Sequence, residues 1–315
     1  QPDIIVTRSE KNIDAVRKEK IAVFCNVHKE DIISNPDVAS VYQVPAVLER
    51  QHLVERIQEK LNLPKKELNV ELKKKWDTFI DKTKITTKKA RIGIVGKYFN
   101  SGEYALEDSY VCVIESLKHA FYFHNSAPDI SWISSEDIER NGTESLSQYD
   151  GIIVPQGWGS RGTEGMIATI QYAREHSVPF LGLCFGMQMA TVEFARNVLN
   201  LKKANSVEAD EKTPYPVIHI MPHQTEYLKK NQYGGTIRLG AWPALIKLGT
   251  QLADLYNLYK NDQFTLPTVE ERHRHRYEFN NEYKKKFENA GMVISATSPD
   301  GKLVEAVELP SHPFF

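Results

Sequence analysis

The run Pro179-Phe180-Leu181-Gly182-Leu183-Cys184-Phe185-Gly186-Met187-Gln188-Met189-Ala190 constrains the fold more than any other stretch of this chain. It reads as a short apolar strand that stops at a cysteine and turns at once into a helix. Gly182 and Gly186 stand two residues either side of Cys184, the G-x-nucleophile-x-G spacing of a nucleophile elbow. A tight strand-to-helix turn lifts the side chain clear of the sheet, and the glycines leave room for backbone packing and for a substrate. The N-terminus of the helix is expected to favour the thiolate. Taken alone, the spacing is met equally well by a buried structural thiol, which packs as a small hydrophobe.

The elbow closes a series of alternating elements. Arg91–Gly96 reads as a strand, and a helix follows with Leu106, Tyr110, Val113, Leu117 and Phe121 along one side. Strands are expected over 129–133 and 151–155, then a helix from Thr163 to His176 ahead of the elbow strand. This alternation predicts an α/β fold, a doubly wound and mostly parallel sheet with helices on both faces. In such sheets ligands bind beyond the carboxyl ends of the strands. Cys184 lies at one such end, and the loop Pro155-Gln156-Gly157-Trp158-Gly159-Ser160-Arg161-Gly162 at another. That loop can aim backbone N–H groups into a pocket shared with the N–H of Phe185, forming an oxyanion hole. After Lys202 the pattern loosens. Strands are expected over 217–221, 236–239 and 292–297, the last turning through Pro299-Asp300-Gly301 onto 303–309 as a hairpin.

Ahead of that unit, Asp3–Thr7 reads as a buried strand and Ile21–Cys25 as a core element. Pro45 opens a helix carrying Val47, Leu48, Val54, Ile57 and Leu61, which Pro64 ends. From Lys65 to Lys89 the composition turns Lys-rich, as in a solvated linker holding one helix around 68–80. At 315 residues the chain is long enough for about two domains. The expected organisation is residues 1–63, a linker over 64–89, and residues 90–315.

Forty Lys and Arg balance forty-one Asp and Glu, so charge singles out no partner. The lysine run lacks the interleaved aromatics that single-stranded nucleic acid would need. Cys25, Cys112 and Cys184 are too few and too scattered for a disulfide framework or a zinc cluster. No apolar run approaches the roughly 20 residues that span a bilayer. The expectation is a cytoplasmic protein with no nucleic-acid or membrane partner and no metal ligands in this chain.

Gly182-Leu183-Cys184-Phe185-Gly186-Met187-Gln188 resembles the nucleophile motif of class I glutamine amidotransferase domains. Further stretches are similar to the CTP synthase family. They include Glu164-Gly165-Met166, Glu193-Phe194-Ala195-Arg196, Ala204-Asn205-Ser206-Val207-Glu208 and Gly234-Gly235-Thr236-Ile237-Arg238-Leu239-Gly240. The most specific is Glu271-Arg272-His273-Arg274-His275-Arg276-Tyr277-Glu278. Before Lys65, the run from Pro2 to Val27 resembles the last portion of that family's P-loop-type synthetase (amidoligase) domain. The resemblance implies glutamine hydrolysis feeding ammonia to an ATP- and Mg²⁺-dependent amination of UTP to CTP. Cys184 would be the nucleophile. Gly157, Phe185, Gly186, Met187, Gln188, Glu208 and Arg276 would bind glutamine, the arginine gripping its α-carboxylate. Arg8 and Lys20 match positions near UTP or CTP phosphates, and Asp37 with Val38 the adenine contact. A GTP effector and a homo-oligomer, tetramer or filament, are implied in the same way. Without the resemblance, the run His273–Arg276 reads as a basic surface patch.

Three departures accompany the match. Gln156 stands where the family loop has a glycine, which would strain the loop if that position needed positive φ. No phosphate-binding G-x-x-x-x-G-K-[ST] occurs. The family's catalytic His and Glu come from an F-H-P-E run, whereas here the last residues are His312-Pro313-Phe314-Phe315, with Phe314 where the Glu would be. His312 is therefore expected to be a structural loop residue, and the chain to be a piece of a longer protein, inactive alone. Two other readings compete: a freestanding Cys hydrolase such as a γ-glutamyl hydrolase or peptidase, and an inactive glutaminase-like module serving assembly or regulation.

Overall fold

The structure, a computed structural model, describes residues 2–65, 69–84, 88–97, 100–101, 104–105, 110–221, 237–258 and 267–313, with the backbone alone at 100–101 and 104–105. Tertiary contacts divide the chain into two compact units, residues 1–88 with 120–127, and residues 89–119 with 128–315.

In the first unit β1 (Ile5–Ser9) and β2 (Ile32–Pro36) run parallel, Ile5 opposite Ile32. Periodicity does not announce β2, since its only apolar side chains before Pro36 are Ile32 and Ile33. Both are buried. Residues 21–25 are not a core element. They end helix α1 (Ala15–Cys25), which Asp14 caps by accepting from the Arg17 N–H, and Phe24 is 87% exposed. The single helix expected after Pro45 is two, α2 (Val44–Glu49) and α3 (Leu53–Lys60), parted at His52 with φ 57°. The Lys-rich stretch is also less of a linker than its charge suggests. Helix α4 (Val70–Thr83) buries Ile80, donates from Trp76 Nε1 to Tyr42 O at 3.2 Å, and pairs Lys73 with Glu49. Only Lys74 and Lys75 of its lysine run face water outright.

The second unit opens with β3 (Lys89–Gly96), a short ribbon of β4 (Asn100–Ser101) and β5 (Tyr104–Ala105), and helix α5 (Val111–Phe123). Leu106 lies outside the described residues. Then come β6 (Ala127–Ser134), α6 (Ser135–Asn141), β7 (Gly151–Val154), α7 (Thr163–Glu175), β8 (Phe180–Gly182) and α8 (Phe185–Asn197). The strands order as β6-β3-β7-β8, with β7 parallel to both β3 and β8. The chain leaves β3 for one edge and returns to its other side. This makes the doubly wound α/β fold, with a topological switch point beside β3. Met166, Ile170 and Ala173, three to four residues apart on α7, join Val95, Ile152, Val154, Phe185 and Met189 in one core.

Beyond α8 the sheets change character. Strands β9 (Ala204–Ser206) and β10 (Tyr215–Ile220) form a three-stranded sheet with a later strand, Tyr277–Phe279. Next, β11 (Arg238–Ile246) is followed by α9 (Gln251–Leu255) and β12 (Thr268–His275), and Tyr277–Phe279 is β13. Helix α10 (Lys284–Asn289) and strands β14 (Val293–Thr297) and β15 (Val304–Glu308) close the unit. The order β12-β11-β14-β15 is antiparallel throughout, so "mostly parallel" holds for the sheet that carries the elbow. The expected hairpin is β14–β15, turning at Gly301 with φ 69°. Gly234 to Thr236 fall outside the described residues. Among the described residues no helix is long and apolar enough to cross a membrane.

Candidate active site

Cys184 stands between β8 and α8 at φ 53°, ψ −101°, a conformation an L-residue holds only when its surroundings impose it. They do. Leu183 N–H donates to Val154 O at 2.9 Å, Gly186 N–H to Leu183 O at 2.9 Å, and Gln188 N–H to Cys184 O at 3.1 Å. A Cβ on Gly186 would lie 1.9 Å from Val154 O, and one on Gly182 2.8 Å from the carbonyl carbon of Gly186. Gly186 is thus required by packing of the turn on β7, and Gly182 by its packing on the first turn of α8. Cys184 is exposed as a residue, yet protein crowds its thiol. That crowding pushes it up to about 11, against the Phe185 N–H that lowers it, and the Glu208 carboxylate raises it further. The expected thiolate is therefore corrected: burial outweighs the helix end. Among the described residues no histidine acts on this thiol.

The loop after β7 faces the elbow. Gly157 packs so that a Cβ would sit 3.4 Å from Phe185 Cδ1 and 2.9 Å from Lys97 Cε. Positive φ falls at Gly159 and Gly162, and Gln156 is not among the residues that adopt it, so the Gln for Gly exchange strains nothing. Gly159 N–H donates to Glu208 Oε1 at 2.9 Å. Burial raises the Glu208 carboxyl, while this bond and the Lys97 charge lower it. Lys97, which follows β3, is a residue that sequence reasoning missed. Its only signal was position, one residue past a strand end at the switch point.

Gln188, in the first turn of α8 beside Gly186 and Met187, is buried and donates from Nε2 to Tyr277 O at 3.1 Å. His275 meets the same carbonyl, Nδ1 to O at 2.9 Å. Arg276, 5% exposed, lies between His275, the last residue of β12, and Tyr277, the first of β13. The basic run is thus half surface and half interior: Arg272 and Arg274 are exposed, whereas His273, His275 and Arg276 turn inward. Arg238 bonds Glu305 at 2.7 and 2.9 Å and lies 3.3 and 3.2 Å from His273 Nδ1 and His275 Nε2. His273, His275 and Glu305 are close enough to hold a metal. The Arg238 cation already occupies their shared lone pairs, which argues against a second cation there. Burial drives the His275 ring down to about 4.

His312 is buried, its Nε2 meeting Ala173 O at 3.0 Å, so it packs the end of α7 as a structural residue. In the first unit Arg8 on β1 forms an ion pair with Asp37, and Val38 lines a hollow of about 460 Å³ with Pro36 and Arg50. Lys20 stands on α1, and among the described residues no bond joins it to that pair.

Comparison with known proteins finds two family models. "Glutamine amidotransferase class-I" matches residues 105–315, and "CTP synthase N-terminus" matches residues 1–63. A CTP synthase of Caldanaerobacter subterraneus subsp. tengcongensis is 46% identical over all of this chain and 55% of its own length. One from Staphylococcus aureus strain JH9 is 45% identical over all of this chain and 56% of its own. The chain thus spans about half the length of these relatives. Among solved structures, the glutaminase domain of Trypanosoma brucei CTPS with bound acivicin superposes with a TM-score of 0.62 at 34% identity. It covers 72% of this chain and 83% of that one.

Proposed function

The chain belongs to the class-I glutamine amidotransferase family, in its CTP synthase branch, and from that premise we propose that residues 89–315 hydrolyse glutamine to supply ammonia for the amination of UTP to CTP. The observation that carries this is the elbow, which holds Cys184 in a strained turn opposite the Gly157 loop. Sγ attacks the carbon of the substrate's side-chain amide. The N–H of Phe185 and the loop at Gly157 receive the negative oxygen. Collapse expels ammonia and leaves a glutamyl thioester, which water converts to glutamate and free thiol. Arg276 pairs with the α-carboxylate, and Glu208 receives the α-ammonium. Gln188, Gly186 and Met187 shape the wall between them.

The ATP, UTP and Mg²⁺ chemistry belongs, in this proposal, to the synthetase region of the longer relatives. Arg8, Lys20, Asp37 and Val38 are offered as the nucleotide contacts present here. Among the described residues, the buried Asp31 is paired with Arg56 and Lys60, and the exposed Asp37 with Arg8. GTP activation, a homo-oligomer and a cytoplasmic setting rest on the resemblance alone.

A second reading draws on one observation. A thiol pushed up to about 11, on which no histidine among the described residues acts, suits a module kept for assembly rather than catalysis. One experiment separates the two. In a polypeptide joining this chain to both a CTP synthase P-loop region and the family's F-H-P-E run, Cys184→Ala should abolish glutamine-dependent CTP formation and spare the ammonia-dependent reaction. An alanine variant that still used glutamine would sink the nucleophile assignment. A wild type that used ammonia but never glutamine would favour the inactive module.

A further inference from the structure

Lys97 lies at the switch point between β3 and β7, and the chemistry above leaves it without a role. It is 5% exposed. Its Nζ donates to Gly159 O at 2.7 Å and to Arg161 O at 3.1 Å, and lies 4.2 Å from the centre of the Phe185 ring. Arg161 returns a bond to Lys97 O at 2.8 Å. The stem runs against Gly157, where a Cβ would lie 2.9 Å from Lys97 Cε. One side chain therefore touches residues 157, 159 and 161 of the loop and the ring of the residue whose amide begins α8. Those are the two halves of the proposed oxyanion hole. Two carbonyls and a π face use what an ammonium has to offer.

We infer that Lys97 is a positioning residue whose charge ties the Gly157–Arg161 loop to Phe185 and so holds the two oxyanion amides at one spacing. The inference rests on the glutaminase reading above and deepens it. The charge is also one the site can lose. Burial pulls the ammonium down to about 8; Glu208, Glu136 and Glu139 support it, and Arg161 opposes it. The carboxylates come from the residues after β9 and from α6, the guanidinium from the loop itself.

The test treats the chain with a chloromethyl ketone analogue of glutamine and, in parallel, with iodoacetamide. In each reaction one Sγ–carbon bond forms and one halide leaves, but only attack on the ketone passes through an oxyanion. Lys97→Met should slow Cys184 labelling by the ketone about tenfold or more while leaving the iodoacetamide rate unchanged. An unaltered ratio of the two rates overturns the inference. Lys97→Arg keeps its charge at high pH. The wild-type ratio should fall from pH 7 to 9 and the arginine variant's should stay level; parallel profiles overturn it too, and they decide the matter if Lys97→Met unfolds. A wild type labelled by iodoacetamide but not by the ketone overturns the glutaminase reading itself, and this inference with it. Failure of Lys97 alone leaves wild-type labelling intact.

Discussion

Cys184 keeps its strained backbone because carbonyls and amides on both sides leave the turn no other path, and that dependence can be measured. Gly186→Ala would press a methyl onto Val154 O, where a Cβ has 1.9 Å of room. It should lower stability by about 3 kcal/mol or more, read by urea unfolding, with loss of Cys184 labelling. The thiol offers a second check. Its folded value, about 11, exceeds the ordinary 9.0, so the folded state holds its proton more tightly. Stability from this group is therefore lost as pH rises from 9 toward 11. Iodoacetamide labelling should climb along the same curve, with a midpoint near 11 rather than 9. A midpoint at or below the ordinary value would contradict the burial argument. The elbow's spacing was legible because steric exclusion acts between near neighbours in sequence. Lys97 was not, since its carbonyl partners at Gly159 and Arg161 are brought to it by the pairing of β3 with β7.

At the scale of elements, the β12–β13 junction shows how alternation sorts a charged run. Arg272 and Arg274 point to water, while His275 works inside, between Arg238, His273, Glu305 and the Tyr277 carbonyl that Gln188 also holds. His275 falls to about 4 from 6.5, so the unfolded chain takes up its proton first. Stability from this group is full above 6.5 and is lost as pH drops toward 4. The wild type should lose about 3 kcal/mol more than His275→Gln between pH 7 and 4 by urea unfolding. Equal losses would refute the assignment. Another such pair ties helix to helix. Arg174 on α7 grips Glu193 on α8 at 2.8 Å, and Glu193 is 0% exposed. Removing the arginine strands a buried carboxylate, so Arg174→Ala should cost about 3–5 kcal/mol in thermal unfolding, more than the median surface pair. Helix α7 was legible from the alternation of elements, and α8 from the elbow motif. The splitting of α2 from α3 and the inward turn of alternate basic residues were not, because local propensity carries no record of what packs against a face.

Over the whole molecule, two contact units imply two cores. Calorimetry should resolve two transitions, and labelling Cys184 with iodoacetamide should move only one of them, since the elbow lies wholly within residues 128–315. A single transition that shifts as one would reject independent cores. The stretch 64–89 was misjudged at this scale. Its lysines spoke for water, yet Trp76 and Ile80 bind α4 to the rest of the first unit.

What the amino-acid sequence determined by itself is whatever short-range geometry dictates: the elbow at Cys184, the alternation that makes the central sheet parallel, and motifs specific enough to state a family. What only the tertiary structure decided is protonation and assembly. It set the thiol up to about 11 and Lys97 down to about 8, and buried Arg276 one residue from the carbonyl that Gln188 holds. The physical reason is the same in each case. Desolvation and long-range hydrogen bonds depend on which atoms surround a group, and those atoms come from strands and loops far apart in the chain.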